Sequence, residues 1–579
     1  MKFKKWIPGV MLGTMMTAMT AVPVLAGNIN SGSTPPIEFT RVSSTSVDDN
    51  SENDSGKVYD FKDPKTSGIV TVTKSWDDSS SNDERAVPDI SISTEKSSKN
   101  PLGYTITYHG NGLTFTDGST ENEIIVNSSG KIVSGQYELP GNTAVTWYLD
   151  SQCTSKIETD QNGLPLSGIY SDLDLYAKPK TFLLKGYNSS EDWNEFSYLV
   201  PSTATSIVFT DESMPTSAAL IDVDADGDGG VVAWMDGTTM KVSTQISGQK
   251  IIAPSNCEYM LSELNKVLSI NLSNLDTSNA TTMASMFYGC RRLTTIDLTP
   301  LNTSNVTSMN KMFYGCSRLT SLDLTPLDTS NVTNMSSMFY GCSGLTNLDL
   351  TPLDTGLVTD MSSVFSKCSK LTSINLSPLD TRNTTDMSSM FYGCSGLTNL
   401  DLSPLNTSKV TNMDSMFFGC SGLTNLDLSP LNTSKVTNMD SMFLGCSGFT
   451  SLNLTHLDTQ NVTNMSHMFN QCSGLTSLDL TPLDTSKVAN MNYMFWDCSN
   501  LSTLSLGEKF ATSKVASMDC MFWDCSNLST LSLGEKFAFV GSEYNLPSGT
   551  WYSSDGTSYT SNGTTCTIPN NKADTYTRR

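Results

Sequence analysis

Apolar and polar positions repeat every 26 residues through the second half of the chain. One full unit, residues 397–422, reads Leu-Thr-Asn-Leu-Asp-Leu-Ser-Pro-Leu-Asn-Thr-Ser-Lys-Val-Thr-Asn-Met-Asp-Ser-Met-Phe-Phe-Gly-Cys-Ser-Gly. Early in this unit Leu400 and Leu402 stand on either side of Asp401. The alternation predicts a short strand that buries both leucines and turns the aspartate outward.

Later in the unit the apolar residues change to helix-like steps. They are Val410, Met413, Met416, Phe417 and Cys420. This spacing predicts a short helix, with Asn412 as its N-cap and Gly422 as its left-handed end.

Ten cysteines mark the period of the array: Cys290, Cys316, Cys342, Cys368, Cys394, Cys420, Cys446, Cys472, Cys498 and Cys525. The spacing is 26 residues throughout, except for one additional residue before Cys525. A single unit buries too little apolar surface to offset the ordering of its chain, so the units are expected to stack on one another. The sequence therefore predicts a continuous array over 264–538.

The sulfur side chains of the array allow two interpretations. Cysteines at one position of every unit are expected to pack as reduced, buried thiols, and the recurring methionines as core filling. The alternative is a disulfide framework, which an exported protein could form. The sequence leaves four further cysteines undecided: Cys153, Cys257, Cys520 and Cys566.

The rest of the chain divides by composition. A basic start, an apolar run and Val24-Leu25-Ala26 predict a signal peptide over 1–26, so that the mature chain is exported without a transmembrane anchor. Residues 27–100 are rich in Ser, Asp and Asn and predict a disordered stalk, in which short apolar runs such as 68–72 could still pair. Capping regions are expected at 181–263 and 539–579, because exposed ends of an array leave apolar surface uncovered.

Residues 101–180 change to a strand pattern. Alternation at 104–108, 145–148 and 173–176, with Gly/Asn turns between, predicts a small β module. This region resembles the internalin-type B repeat in its Tyr-x-Ile-x-Tyr-x-Gly-Asn-Gly opening, its Trp147-Tyr148 pair and its Asp-Leu-Asp-Leu-Tyr-Ala-Lys close. The usual Gly before Trp147 is replaced by Thr146.

Charge limits the partners. The chain has 35 basic and 58 acidic side chains, a net charge of −23. Nucleic acids and anionic membranes are bound through Lys/Arg patches, so neither is expected as a partner. An electrostatic partner is expected to be cationic.

The outward strand positions carry a row of acidic side chains, the aspartate row: Asp297, Asp323, Asp349, Asp401, Asp427 and Asp479, with Asn375 and Asn453 in the same positions. Like charges stacked on neighbouring strands repel, so the row is a candidate ligand-binding face. The alternative is a solvated row that binds nothing. A second Asx row, which includes Asn302 and Asp328, exchanges Asn and Asp freely and fits Asx-turn hydrogen bonding.

The sequence gives weaker indications of a metal site and of a catalytic site. Four aspartates copy the start of a calcium loop: Asp222, Asp224, Asp226 and Asp228. Ala233 stands where such a loop requires a bidentate glutamate, so the alternative is an Asp/Gly turn, and no metal or other cofactor is assigned. The chain has three histidines and no hydrolytic triad or phosphate loop, so an enzyme is not expected.

The repeated unit Leu-Thr-x-Leu-Asp-Leu-Ser-Pro-Leu-Asn-Thr-Ser-Lys-Val-Thr-Asn-Met-x-x-Met-Phe-x-Gly-Cys-Ser resembles the BspA-type leucine-rich repeat of bacterial surface proteins. The resemblance implies an α/β solenoid: a leucine-rich-repeat-type right-handed coil with one short strand and one short helix per repeat, preceded by the small β module. It also implies an adhesin-like protein at the cell surface that binds host or microbial proteins or glycans. A passive structural or matrix protein is the alternative.

Overall fold

The structure is a computed structural model. It describes residues 58–62, 69–73 and 103–579, apart from 128, 143, 161, 162 and 192. The chain divides into two compact units, Met1–Pro179 and Lys180–Arg579. The predicted signal peptide and most of the predicted stalk lie outside the described residues. Inside the stalk region, β1 (Val58–Lys62) pairs antiparallel with β2 (Ile69–Thr73).

The first unit contains a six-stranded sheet in the order β5-β4-β3-β8-β6-β7. Its strands are β3 (Tyr104–His109), β4 (Glu121–Val126), β5 (Ile132–Ser134), β6 (Val145–Tyr148), β7 (Lys156–Ile157) and β8 (Leu173–Pro179). A 3-10 turn at Pro140–Asn142 precedes β6. The strands predicted at 104–108, 145–148 and 173–176 are thereby confirmed. Alternate side chains, including Ile106, Tyr108 and Trp147, form its buried core.

The second unit begins with a mixed sheet in the order β12-β13-β14-β11-β16. The elements of this region are β9 (Tyr187–Asn188), β10 (Trp193–Asn194), α1 (Glu195–Leu199), β11 (Ser206–Thr210), β12 (Ile221–Asp222), β13 (Val232–Asp236), β14 (Thr239–Ser243), β15 (Ile251–Ile252), β16 (Ser269–Asn271) and β17 (Leu275–Asp276). Strand β11 pairs in parallel with β16, so this sheet continues directly into the first coil of the array.

The short helix predicted in every unit is wrong. In the described residues the single α-helix is α1, outside the array. The apolar segment of each coil instead forms overlapping turns, for example from the N–H of Met416 to the carbonyl of Met413 and from Cys420 to Phe417. Alternate N–H groups donate to the next coil: Met413 to Asn438, Ser415 to Asp440, Phe417 to Met442 and Gly419 to Leu444. An α-helix would have consumed these donors internally.

The backbone of the turn segment requires two left-handed residues per coil. In the unit described above they are Ser415, at φ 54°, and Gly419, at φ 68°. Each is the third residue of its turn, where a positive φ is the mark of a type II turn. The prediction that Gly422 is left-handed is wrong. Gly422 is required for space, because a Cβ there would lie 2.6 Å from the carbonyl oxygens of Ser395 and Leu397.

The prediction of the strand is correct about which side chains are buried and which are exposed. A regular hydrogen-bonded strand, however, forms only in part of the array. Leu400 and Leu402 are buried and Asp401 is exposed, as predicted. Hydrogen-bonded strands form at β16 in the first coil and, near the other end, at β18 (Ser477–Asp479), β19 (Thr503–Ser505) and β20 (Thr530–Leu533). In the other coils the parallel bridges run through one column, and Asn412 bridges Asp386 and Asn438 there instead of capping a helix.

One continuous hydrophobic core runs through the stacked coils. The phenylalanines of successive coils stack face to face at centroid distances of 5.5 Å (Phe287 to Phe313) to 6.1 Å (Phe339 to Phe365). All ten array cysteines are at most 1% exposed, and the methionines beside them are buried. The predicted packing of thiols and thioethers in the interior is confirmed. The handedness of the coil stays a prediction.

The C-terminal segment closes the last coil by strand pairing. The final sheet has the order β18-β19-β20-β23-β21-β22, with β21 (Gly549–Tyr552), β22 (Ser558–Ser561) and β23 (Asp574–Arg578). Strand β23 runs antiparallel to β20, so the edge of the last coil is covered. None of the helices in the described part of the chain is long and apolar enough to cross a bilayer.

We expect Val364→Met to stabilise the array. Val364 stands where almost every other coil has a methionine, and a small apolar cavity lies beside it, lined by Met335, Leu350 and Phe365 among others. A methionine would fill this space and raise the free energy of unfolding by about 1 kcal/mol. Thermal denaturation followed by circular dichroism measures the change. The matched reverse variant, Met338→Val, should lower Tm, and a lower Tm for Val364→Met would contradict the account.

Candidate functional site

The aspartate row occupies equivalent, exposed positions of successive coils, as the sequence predicted. All six aspartates and both asparagines of the row are solvent-exposed. Each of these side chains also accepts a hydrogen bond from the backbone N–H two residues on, at 2.9 Å for Asp323 and Thr325. Asn375 and Asn453 accept the same bond, each at 3.1 Å. The row is therefore both a surface and a set of Asx turns.

The charges of the row are stabilised locally. The N–H and hydroxyl of the residue two positions on lower the pKa of Asp323, Asp349, Asp401 and Asp427 below the ordinary value. Neighbouring aspartates act in the opposite direction, as Asp427 does on Asp401, but this effect is smaller. These four carboxylates are thus ionised at neutral pH. The hydrogen bonds of the Asx turns therefore outweigh the repulsion expected between the like charges of the row.

The second Asx row makes the turn hydrogen bonds that were predicted for it. Asn302 and Asp328 accept from the N–H and hydroxyl of Ser304 and Ser330, at 2.7–3.1 Å. Asn and Asp offer the same acceptor atom to these bonds, which explains why the two residues interchange here.

A column of buried threonines connects each coil to the next. Thr407 donates its hydroxyl to the carbonyl of Asn432 at 3.0 Å and accepts from the N–H of the same residue at 2.7 Å. Equivalent hydroxyls recur from Thr277 to Thr512, nearly all below 3% exposure. A hydroxyl that donates and accepts at once satisfies two backbone groups that would otherwise be buried without partners. The sequence reasoning missed this role, although the regular spacing of these threonines was visible.

The cysteine column has a polar contact as well as an apolar one. The thiol of Cys420 lies 3.1 Å from the carbonyl oxygen of Phe391 in the preceding coil, and the other array thiols repeat the contact. Burial raises the pKa of Cys290 to about 12. All fourteen cysteines are free thiols, including the four that the sequence left undecided. A buried thiol with a raised pKa is a poor nucleophile and a poor metal ligand.

Three aspartates of the candidate calcium loop converge. Oxygens of Asp224, Asp226 and Asp228 lie within 4.8 Å of one another. Their carboxylates already accept protein hydrogen bonds: Asp224 from Gly229 at 2.9 Å and Asp228 from Gly230 at 2.7 Å. Burial raises the pKa of Asp224 to about 6, and the neighbouring carboxylates add to it. The fourth aspartate, Asp222, pairs with Lys185 at 3.0 Å.

These contacts build the Asp/Gly turn that the sequence gave as the alternative. The backbone N–H groups of the loop donate hydrogen bonds to these carboxylates and stabilise their negative charge. No metal is assigned here.

A second acidic group lies inside the array and was missed at the sequence level. Asp414 and Asp440 occupy the same column in consecutive coils, where most other coils have Ser or Asn. Burial raises the pKa of Asp440, but hydrogen bonds from His467 and Ser466 outweigh that effect and hold it below the ordinary value. Burial and the adjacent Asp440 raise the pKa of Asp414 to about 6. Departure from the column consensus was the signal that marked this pair.

Comparison with known families agrees with the periodicity. A family model described as "Mycoplasma protein of unknown function, DUF285" matches residues 255–373, 318–425, 342–451 and 419–532. Overlapping matches of one model are expected of a repeated sequence. The matched residues coincide with the stacked coils. No match was found among curated proteins.

The structural neighbours are leucine-rich-repeat proteins. The chain is similar to a leucine-rich repeat protein from Bacteroides ovatus, with 17% identity, 55% of this chain and 93% of that chain covered and a TM-score of 0.28. The TLR13–ssRNA13 complex gives 17% identity, 52% and 47% coverage and a TM-score of 0.19. The functional domain of InlJ from Listeria monocytogenes, described as including a cysteine ladder, gives 18% identity, 52% and 70% coverage and a TM-score of 0.12.

We expect the array thiols to resist alkylation in the folded protein. With iodoacetamide at pH 8, only the three partly exposed cysteines, Cys153, Cys520 and Cys566, should be modified, because the other eleven are buried. In concentrated urea all fourteen should react. Intact mass spectrometry with peptide mapping counts the labels. Rapid native labelling of Cys394 or Cys420 would contradict the packing described above.

We expect Asp414→Asn to stabilise the protein at neutral pH. A folded-state pKa of about 6 lies above that of an unfolded aspartate, so Asp414 opposes folding increasingly as pH rises from about 4 to about 6, fully above pH 6 and only slightly near pH 4. Asn occurs in this column at Asn492 and removes the charge. Tm should therefore rise at pH 7.5 and change little at pH 4.

The control for this experiment is Asp354→Asn, an equal change of charge at an exposed Asx position. It should not reproduce the difference between the two pH values. An equal rise in Tm for Asp414→Asn at both pH values would show that the charge of Asp414 is not the cause.

Proposed function

We propose that this chain is an exported, non-enzymatic binding protein of the bacterial cell surface. It engages extracellular protein or glycan ligands, cationic ones among them, through the aspartate row. The BspA-type resemblance of the coils supports an adhesin-like role. The observation that carries the proposal is the presentation of ionised carboxylates at equivalent exposed positions of successive coils.

The physical argument for the face is multivalency. Six coils offer one carboxylate each at the equivalent exposed position, and the coils are fixed in register by hydrogen bonds between backbones. A ligand with several basic or hydroxyl groups can engage several coils at once, so weak single contacts add to a useful affinity. The raised pKa values of the array thiols argue against cysteine catalysis. The −23 charge argues against nucleic acid.

The test is a variant with Asn at four positions: Asp323, Asp349, Asp401 and Asp427. Asn375 and Asn453 show that Asn keeps the turn hydrogen bond, so this change removes charge and leaves the coil intact. The full-length protein and the variant are applied to the same arrays of extracellular proteins and glycans. Binding to the ligands of the unmodified protein should fall by about tenfold or more, since avidity along the row is lost.

A matched control removes four charges from the second Asx row: Asp328, Asp354, Asp458 and Asp484 to Asn. Net charge changes equally, and Asn302 and Asn406 show that Asn is accepted in this row. Equal loss of binding in both variants would indicate a general charge effect. If both variants retain ligand binding, the proposal that the aspartate row is the binding face is refuted. A protein that binds nothing on the arrays would favour the passive structural alternative.

A further inference from the structure

The last two coils differ from the others on their turn side. The residue two positions before the array cysteine is a half-buried aromatic in several coils. These rings stack on one another, as Tyr314 does on Tyr340 at 4.3 Å. In the last two coils this position holds Trp496 and Trp523, which are 36% and 48% exposed. Two large aromatic side chains are therefore presented to solvent in consecutive coils.

The next column also changes at the same place. It holds glycine in six coils, and the last two coils place Asp497 and Asp524 there. Both backbones keep the left-handed conformation of the column, with φ of 56° and 60°. The two aspartates hold the same position of adjacent coils, and both raise the pKa of the same buried thiol, Cys525. In the described part of the chain neither carboxylate has an ion-pair partner or a side-chain hydrogen bond.

Further aromatic side chains extend this surface toward the preceding coils. The ring of His467 stacks on Tyr493 at 4.8 Å, and Tyr493 lies 5.4 Å from Trp496. Backbone hydrogen bonds fix the coils beneath these rings, since the N–H of Asp497 donates to the carbonyl of Trp523 at 2.8 Å. The tryptophan–aspartate patch is defined here as Tyr493, Trp496, Asp497, Trp523 and Asp524.

An earlier coil of the array contains a cation packed against the rings of the same aromatic column. In this coil the glycine column holds Lys367, whose ammonium group lies 5.1 Å from the ring of Tyr340 and 5.6 Å from that of Tyr392. There the chain supplies both the aromatic rings and the cation. In the patch it supplies rings and carboxylates but no cation. A ring face and a carboxylate together favour a cationic ligand.

We infer that the tryptophan–aspartate patch docks an arginine-rich segment of a partner protein, with guanidinium groups on the tryptophan rings and against Asp497 and Asp524. Arginine fits better than lysine because its planar group stacks on an indole and binds a carboxylate through two N–H groups. This surface does not include the aspartate row, so it is a second and separate site of interaction.

Binding of a fluorescein-labelled peptide of alternating arginine and glycine to the full-length protein tests the inference by anisotropy. Two double variants use residues that the same columns already contain. Trp496→Leu with Trp523→Leu follows Leu444, and Asp497→Gly with Asp524→Gly restores the consensus glycine. Each should raise the Kd at least about tenfold. The corresponding lysine peptide should bind the unmodified protein more weakly than the arginine peptide.

The four-residue variant of the aspartate row is the control and should keep the patch affinity. If that variant alone loses the peptide, the basic ligand binds the aspartate row and the patch inference fails. Unchanged affinity in both double variants would also overturn it. A neutral oligosaccharide that binds the patch in a tryptophan-dependent way, while the peptide does not, would show that the patch recognises glycans instead.

Discussion

The stack of coils depends on the hydrogen bonds that pass from the turn segment of one coil to the next. Four alternate N–H groups per coil donate to carbonyls about 25 residues later, as those of Ser415 and Phe417 do. These backbone groups are buried beside Phe417 and Cys420, so they require partners. No single coil can supply the partners. The bonds therefore exist only when the coils are stacked, and they make stacking a condition of the local conformation.

Two columns of side chains, the threonines and the cysteines, add further hydrogen bonds between successive coils. The hydroxyl of Thr407 satisfies both backbone groups of Asn432, and the thiol of Cys420 contacts the carbonyl of Phe391. Both groups are small enough to be enclosed and polar enough to bind a carbonyl. The cysteine column is thereby explained without disulfides, because the thiol serves as a weak donor inside a tightly packed layer.

Much of this could be predicted from the sequence, because a repeat shows which positions are equivalent. The burial of Leu400, Leu402 and the array sulfur atoms followed from the pattern, and so did the exposure of Asp401. The helix prediction failed for a physical reason. The apolar steps from Met413 to Cys420 fit a helix, but they also fit overlapping turns with Ser415 and Gly419 in the left-handed region. The choice between them is decided by the adjacent coil, which a reading of one unit does not include.

The candidate sites follow the same logic of columns. A substitution in one coil meets its counterparts directly above and below, so that two successive departures from the consensus create a local chemistry that one departure would not. Asp414 has a raised pKa because it is partly buried and because Asp440 occupies the same column in the next coil. Trp496 and Asp497 are followed in the next coil by Trp523 and Asp524 at the same two positions. Function in such an array is accordingly expected where departures are consecutive. The invariant columns, in contrast, are retained by the requirements of stacking.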